Sequence, residues 1–354
     1  MAPIRLIALG NGVWLDEIRA ECKHTVKDVP GGSVTFATLG ARLFLPQDPQ
    51  SIAFVFNAGH DFPEAVIELF RGWSVNLAVK HNLDKPSSRG LVFYEQANAN
   101  RKGFQRLTAP MPVTISDLGE HPAFLQSQAF HFFGTAKYME EQVADLLRYQ
   151  PGTVSKDTPS SQPLLVWEPH AKSCLPETLQ QHVRAVRLVN VFSPNHEELH
   201  SFFGDSLPFK KQVVEEEAQV FVDAGIGPTG DGCMVVRAAG SGCLLVSRSL
   251  PPTWMPSYYD PKSEKIVDPT GAGNAFLGGF TIGLQATGLY KEAACYGQVA
   301  ASFMLEQTGL PSHVGNGVGE RWNGENVRER MENYCRRYPE LSTAVDDSPG
   351  PKGA

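Results

Sequence analysis

The sequence predicts a doubly wound, mostly parallel α/β sheet with helices on both faces and a small β lid. Short apolar runs alternate with helix-patterned stretches along most of the chain, as parallel strands with crossover helices require. A tight glycine turn, Gly271-Ala272-Gly273, opens an apolar, small-residue helix. The 354 residues suffice for one large domain, or a core domain with a small appendage.

In chain order, Ile4–Leu9 is an apolar run ending in Gly10-Asn11-Gly12, and further strands are expected at Ile52–Asn57, Val75–Val79, Ala129–Phe133, Leu164–Trp167, Val186–Phe192 and Cys233–Arg237. Helical spacing marks Pro63–Arg71, Ala136–Tyr149 and Pro176–His182. Gly90–Glu95 and Gly103–Leu107, joined by the polar Gln96–Lys102, read as a hairpin outside the main sheet, a lid around residues 89–108 over a cleft. Residues 1–340 are expected to form one domain. The Ser/Thr/Pro-rich Gln150–Gln162 and the Pro/Gly tail at 341–354 have little to bury and are expected to be mobile. Gly225–Gly232 is glycine-rich but precedes a strand, so it reads as a plain turn, with a phosphate-facing loop as the alternative.

Thirty-one Lys and Arg against 38 Asp and Glu leave a net charge of −7 and no long basic run, which argues against a nucleic-acid groove or an anionic membrane partner. There is no Arg/Lys-flanked apolar leader and no apolar run of membrane-spanning length, so a cytoplasmic protein is expected. The six cysteines form no C-x-x-C pair and read as reduced, mostly buried thiols. The expected partner is a small metabolite, with the chain a monomer or homodimer.

Without Cβ atoms at Gly271 and Gly273, backbone N–H groups converge at the positive end of the following helix, where a phosphoryl oxygen is the expected ligand. A helix entry chosen only for close packing is the alternative. The stretch from Ile266 to Phe280 resembles the C-terminal signature of the PfkB/ribokinase-like small-molecule kinases, roughly D-T-G-A-G-D-x-F. Where that family carries its catalytic aspartate, this chain has Asn274. An amide can hold a hydroxyl but cannot take its proton, and a positioned general base is worth ~10²–10⁴-fold in rate.

Further segments resemble the same family in the same order. Gly10 through Asp16-Glu17-Ile18 resembles the first strand and the aspartate that holds substrate hydroxyls; Gly31-Gly32 with Ala37–Gly40 resembles the glycine pair and helix that complete that pocket. Gly59-His60-Asp61 resembles the G-x-D turn, Ser193–Leu199 the N-x-x-E element, and Val235–Gly242 the strand-turn beside the nucleotide. The resemblance implies substrate binding by Asp16, Gly31 and Gly32, and nucleotide binding by Asn195, Gly240, Gly242 and Thr270. It also implies Mg²⁺ organised through water by Glu198 and phosphoryl stabilisation by Gly271, Ala272 and Gly273, with Asn274 at the catalytic position and ATP as co-substrate. A plain turn acid is the alternative for Asp16.

Three departures accompany the match. About twenty residues separate Gly10 from Gly31-Gly32, leaving room only for shortened lid strands; Thr35-Phe36 stands where many members have a hydroxyl-reading asparagine; and Ala239 replaces a usual turn glycine. A less polar, or differently bound, acceptor than a free pentose follows. With Trp167-Glu168-Pro169, the pattern is most similar to a fungal branch of PfkB-like proteins named for killer-virus maintenance.

His196-Glu197-Glu198-Leu199-His200 also fits the zinc-binding H-E-x-x-H pattern, but Ser193-Pro194-Asn195 upstream favours a helix cap in the N-x-x-E register, and no zinc is expected. The leading reading is an ATP- and Mg²⁺-dependent phosphotransferase acting on a hydroxyl of a sugar- or nucleoside-like metabolite. A pseudoenzyme that binds nucleotide or metabolite, or a repurposed enzyme on the same scaffold, is the alternative. Asn274→Asp separates them: a working kinase site should gain turnover, whereas a site rebuilt around the amide should lose ligand binding.

Overall fold

Side chains alternate across each apolar strand and build two cores. In the computed structural model, which describes residues 3–19, 25–94, 101–149, 162–204 and 208–339, β1 (Leu6–Leu9) sends Leu6 and Ala8 to one face and Ile7 and Leu9 to the other. All four are buried. Burying one such large apolar side chain contributes ~1.5–3 kcal/mol, so strands buried on both faces anchor the fold.

In chain order follow the lid strands β2 (Trp14–Arg19) and β3 (Thr25–Gly31), the core strands β4 (Ile52–Gly59) and β5 (Asn76–Asn82), the lid strands β6 (Arg89–Tyr94) and β7 (Arg101–Arg106), and the core strands β8 (Ala129–Gly134), β9 (Leu164–Pro169), β10 (Val191–Phe192), β11 (Cys233–Arg237), β12 (Cys243–Val246) and β13 (Thr253–Met255). The nine core strands run in the order β13-β12-β11-β10-β9-β8-β1-β4-β5. They are parallel except where β12 pairs antiparallel with β11 and β13. The helices are α1 (Ser33–Arg42), α2 (Glu64–Arg71), α3 (Pro122–Leu125), α4 (Ala136–Tyr149), α5 (Leu179–Ala185), α6 (His196–Ser201), α7 (Lys211–Ala224), α8 (Ala272–Thr287), α9 (Tyr290–Leu305) and α10 (Val327–Arg337). Apolar residues of α1, α2, α8 and α9 fill one core, and those of α4 to α7 the other. None of the described helices is long and apolar enough to cross a membrane.

Small residues set the approach of α1 to α8. A Cβ on Gly278 would strike the Ala37 carbonyl, and one on Gly40 would strike the Ala275 carbonyl, so the two backbones touch where larger side chains would separate them. This contact fixes the position of the Gly271 turn.

Three local expectations change. The predicted hairpin is the outer half of a four-stranded sheet ordered β3-β2-β6-β7, because the segment between Gly10 and Gly31 folds into strands of six and seven residues rather than shortened remnants. The run from Val186 to Phe192 is a strand only at Val191–Phe192; Val186–Leu188 is a 3-10 turn whose Val186 carbonyl accepts from Gly227. The expected helix at Pro176 begins as a 3-10 turn and becomes α-helical at Leu179. The predicted mobile stretch is outside the described residues apart from Gln162, as is the tail at 341–354. Cys174, Cys233, Cys243 and Cys295 are buried free thiols and Cys335 is half-buried; Cys22 is outside the described residues.

Candidate active site

Apolar parallel strands that end in a charged residue bring that charge to the C-terminal edge of the sheet, where open α/β folds place their ligands. Here β9 carries Glu168 next to its end and β11 ends in Arg237. The lid closes over this edge and leaves a cleft of about 700 Å³, lined among others by Asp16, Gly32, Glu168, Glu198, Gly271 and Asn274.

Gly271 is left-handed, with φ 80°, and caps α8. A Cβ there would strike the ring of Phe36, so glycine is required both by conformation and by space. The carboxylate of Asp268 accepts from the Thr270 N–H at 2.9 Å and holds the turn from behind. The turn lies at the positive end of α8, but the predicted Ala272 N–H is already taken, donating to the Pro269 carbonyl at 3.2 Å. Among the predicted phosphate-site residues, Thr270 and Gly271 line the cleft beside Asn274. A Cβ on Gly273 would strike the guanidinium of Arg237.

Asn274 does not stand alone. Its Nδ2 donates to Glu168 Oε2 at 2.5 Å, which leaves Oδ1 as the atom available to an acceptor hydroxyl. Glu168 is 4% exposed, and its other oxygen pairs with Arg237 Nη1 at 2.8 Å. The fully buried His131 lies 3.4 Å from Glu168 Oε2. Burial would raise the Glu168 carboxyl, but the Arg237 guanidinium, with His131 and the Asn274 amide, outweighs it and keeps the group below its ordinary value. The site therefore holds an ionised carboxylate directly behind the position where the resemblance places an aspartate.

Asn195 caps α6, accepting from the Glu198 N–H at 2.8 Å while Glu198 Oε2 accepts from the Asn195 N–H at 2.7 Å. The reciprocal cap holds Glu198 at the cleft, and Asn195 itself does not line it. His200 pairs with Glu217 and not with His196, whose ring is 6.4 Å away. Among the described residues no three His, Cys, Asp or Glu side chains converge as a metal set.

Burial pushes the Glu198 carboxyl up to about 7, with Arg237, 3.5 Å away, opposing and Glu168 assisting. The folded protein thus holds this proton more tightly than the unfolded chain, whose value is 4.5. The stability from this group is full below that value and falls as pH rises, levelling above about 7, a loss on the order of 3 kcal/mol. The difference between wild type and Glu198→Gln in urea unfolding should show this loss between pH 5 and pH 8, since His170, His182 and His196, lowered by burial, titrate in both proteins. A difference independent of pH would refute the assignment.

At the lid side, Asp16 lies on β2 and not in a turn. Gly31 and Gly90 flank its carboxylate so closely that a Cβ on either would lie 2.7 Å or 2.6 Å from an Asp16 oxygen. Gly32 lines the cleft, whereas Gly31 shapes it from behind Asp16. Thr35 turns inward and donates to the Gly31 carbonyl, and Phe36, Trp14 and Phe104 give the cleft an aromatic wall. Asp61 hinges this lid: it accepts from the Ser87 N–H at 2.7 Å and from Arg89 Nε at 2.8 Å. Those bonds outweigh burial and hold its carboxyl well below the usual carboxylate range.

Gly240 and Gly242 form the turn after β11 but do not line the cleft; Ala239, between Ala238 and Gly240, keeps a positive φ of 47°, the conformation a glycine there would adopt freely. The glycine-rich 225–232 segment is a turn, its Gly232 N–H bonded to the Ile226 carbonyl. The sequence marked Glu168 only within Trp167-Glu168-Pro169 and Arg237 only within the Val235–Gly242 strand-turn, and assigned neither a part in the site. The signal that could have found them is a charged residue ending an otherwise apolar strand.

Residues 4–313 match the family described as pfkB family carbohydrate kinase. An uncharacterised protein of Schizosaccharomyces pombe is 29% identical over 336 residues, covering 90% of each chain, and protein MAK32 of Saccharomyces cerevisiae is 27% identical over 345 residues, covering 93% of this chain and 92% of MAK32. A putative ribokinase II of Escherichia coli, solved in complex with ATP and Mg²⁺, superposes with a TM-score of 0.64 at 14% identity, covering 94% of this chain and 99% of that one. The ribokinase-like fold, the glycine turn opening α8 and a family match across most of the sequence give one conclusion: this chain belongs to the pfkB family of carbohydrate kinases.

Proposed function

We propose that the protein transfers the terminal phosphoryl group of ATP to a hydroxyl of a small sugar- or nucleoside-like metabolite, with Asn274 orienting the acceptor oxygen. The observation that carries this reading is the Asn274–Glu168 hydrogen bond at the start of α8, inside the cleft that Asp16 shares. With Nδ2 committed to Glu168, Asn274 Oδ1 accepts from the substrate hydroxyl. Phosphoryl transfer through a loose transition state develops little charge on the attacking oxygen, so its proton can pass to a phosphoryl oxygen or water. The N–H groups at Gly271 and Gly273 would face the charge that builds on the transferring group, while the Ala272 N–H, bonded to the Pro269 carbonyl, holds the turn.

Glu198 suits Mg²⁺, which is commonly held by one or two carboxylates, waters and substrate phosphates rather than by a protein cage. Bound Mg²⁺ would neutralise the phosphate chain, and Glu198 would orient it through water, shedding its own proton. The turn at Gly240 and Gly242 would border the nucleotide.

One observation favours a second reading, a nucleotide- or metabolite-binding protein without turnover: the Arg237 guanidinium, tied to both Glu168 and Glu198, crowds Gly273. Melting the protein with ATP–Mg²⁺, and assaying ADP formation over neutral and anionic sugars and nucleosides, tests both. At a hundredfold excess over Kd, ATP–Mg²⁺ should stabilise the fold by ~2.7 kcal/mol. Stabilisation with acceptor-dependent ADP supports the transferase; stabilisation with no turnover selects the second reading; no stabilisation by any nucleotide sinks both.

A further inference from the structure

The lid side of the cleft gathers three basic side chains, and among the described residues no carboxylate pairs with them. Arg106, the last residue of β7, sets Nη2 3.3 Å from His170 Nε2, and Lys172 follows on the same wall. Neither Arg106 nor Lys172 forms an ion pair among the described residues; both act on His170 as like charges.

The hydrogen bonding of His170 makes this cluster specific. Its Nδ1 accepts from the Lys172 backbone N–H at 3.2 Å, which places the proton of the neutral ring on Nε2. That Nε2–H points at Arg106, whose guanidinium can only donate. Two donors therefore face each other across 3.3 Å with no acceptor between them. Arg106 and Lys172 are exposed and His170 is half-buried, so water serves these donors in the free protein. An anionic oxygen placed here would accept from both, and Lys172 would add charge.

The neighbouring surface is aromatic. Trp14 and Phe104 meet edge to face with centroids 5.3 Å apart, Arg106 lies 6.0 Å from the Trp14 ring, and Phe133 is 5.5 Å from the His170 ring. A ligand suited to this wall has an apolar or flat face beside an anionic end.

We propose that Arg106, His170 and Lys172 form a subsite for an anionic group carried by the acceptor itself, a phosphate monoester or a carboxylate. The inference rests on the phosphotransferase reading of the cleft and narrows its substrate class from neutral sugars or nucleosides to their acidic derivatives. The phosphate chain of the nucleotide belongs by Gly271 and Glu198, residues outside this cluster.

The test titrates the full-length protein, by thermal shift and calorimetry, with inorganic phosphate and with matched probes: ribose against ribose 5-phosphate, and glucose against glucose 6-phosphate and gluconate. Anionic members should bind at least tenfold tighter than their neutral partners, and the better of phosphate and carboxylate identifies the group. Arg106→Gln and Lys172→Gln should each remove about tenfold of that preference, with ATP–Mg²⁺ affinity retained as proof of folding. Equal binding of neutral and anionic probes, no binding of any probe, or a preference untouched by both substitutions would overturn the subsite. If ATP–Mg²⁺ binds and turns over with a neutral acceptor, the subsite fails alone; if the anion preference depends on Arg106 but no nucleotide binds, the phosphotransferase reading fails and the subsite stands.

Discussion

Exchanging the two side-chain groups at the start of α8, Asn274→Asp with Glu168→Gln, is expected to raise phosphotransfer by about tenfold or more, within the range attributed to a positioned general base. The single change Asn274→Asp should not do so. Asn274 Nδ2 is 2.5 Å from Glu168 Oε2, so an aspartate there would put two carboxylates in hydrogen-bond contact, one of which must keep a proton. Above the raised pKa of that pair the single variant should lose ~1–3 kcal/mol, the cost of an unmatched buried polar group. The loss should shrink as pH falls and the shared proton is retained. In the double variant the amide introduced on β9 donates to the carboxylate introduced on α8, restoring the bond with its polarity reversed and leaving a group that can accept the hydroxyl proton. A double-mutant cycle in stability, with initial rates on the same proteins, should give a favourable coupling of ~1–3 kcal/mol. An Asn274→Asp single variant that is as stable as wild type and faster would contradict the pairing argued here.

Arg237→Met is expected to have the largest effect on stability. Arg237 Nη1 pairs with Glu168 at 2.8 Å, and Nη2 donates to the Ser193 carbonyl at 3.0 Å and faces Glu198 at 3.5 Å. Removing it leaves two buried carboxylates without their common counter-charge, which should cost ~3–5 kcal/mol at pH 8. The sign of the pH dependence follows: without Arg237 both folded-state pKa values rise, so the penalty declines as pH falls and the carboxyls protonate. Arg237→Lys keeps the charge but presents a point instead of a fork, and should recover only part of the loss. Urea unfolding at pH 5.5 and pH 8 measures all of this. A loss under ~1 kcal/mol at pH 8 would mean that Arg237 does not hold the two carboxylates together.

The Asn274 prediction also bears on the position where the resemblance expects an aspartate. From sequence, Asn274 reads as a lost base, and restoring aspartate is the obvious repair. In the structure the amide is one half of a pair whose other half is a carboxylate on a different element, the strand β9. A carboxylate already touches the Asn274 side chain, which makes a single change to aspartate the wrong repair.

What the sequence determined by itself is what depends on neighbours along the chain. Alternating apolar runs report strands buried on both faces; Gly271 before a small-residue helix reports the turn with φ 80°; and Asn195 with Glu198 three residues on reports the reciprocal cap of α6. Each is a backbone requirement met within a few residues, so residue type and spacing suffice. Only the tertiary structure decided that Glu168 meets Asn274, 106 residues away, that Arg237 joins Glu168 to Glu198, and that Arg106 faces His170 across 64 residues. It likewise turned the expected hairpin into a four-stranded lid, because pairing β2 with β6 joins segments far apart in sequence. These contacts follow from the order of strands at the sheet edge and the docking of α8 on α1. No local periodicity encodes either, since the same alternation of apolar residues serves any strand order that buries both faces.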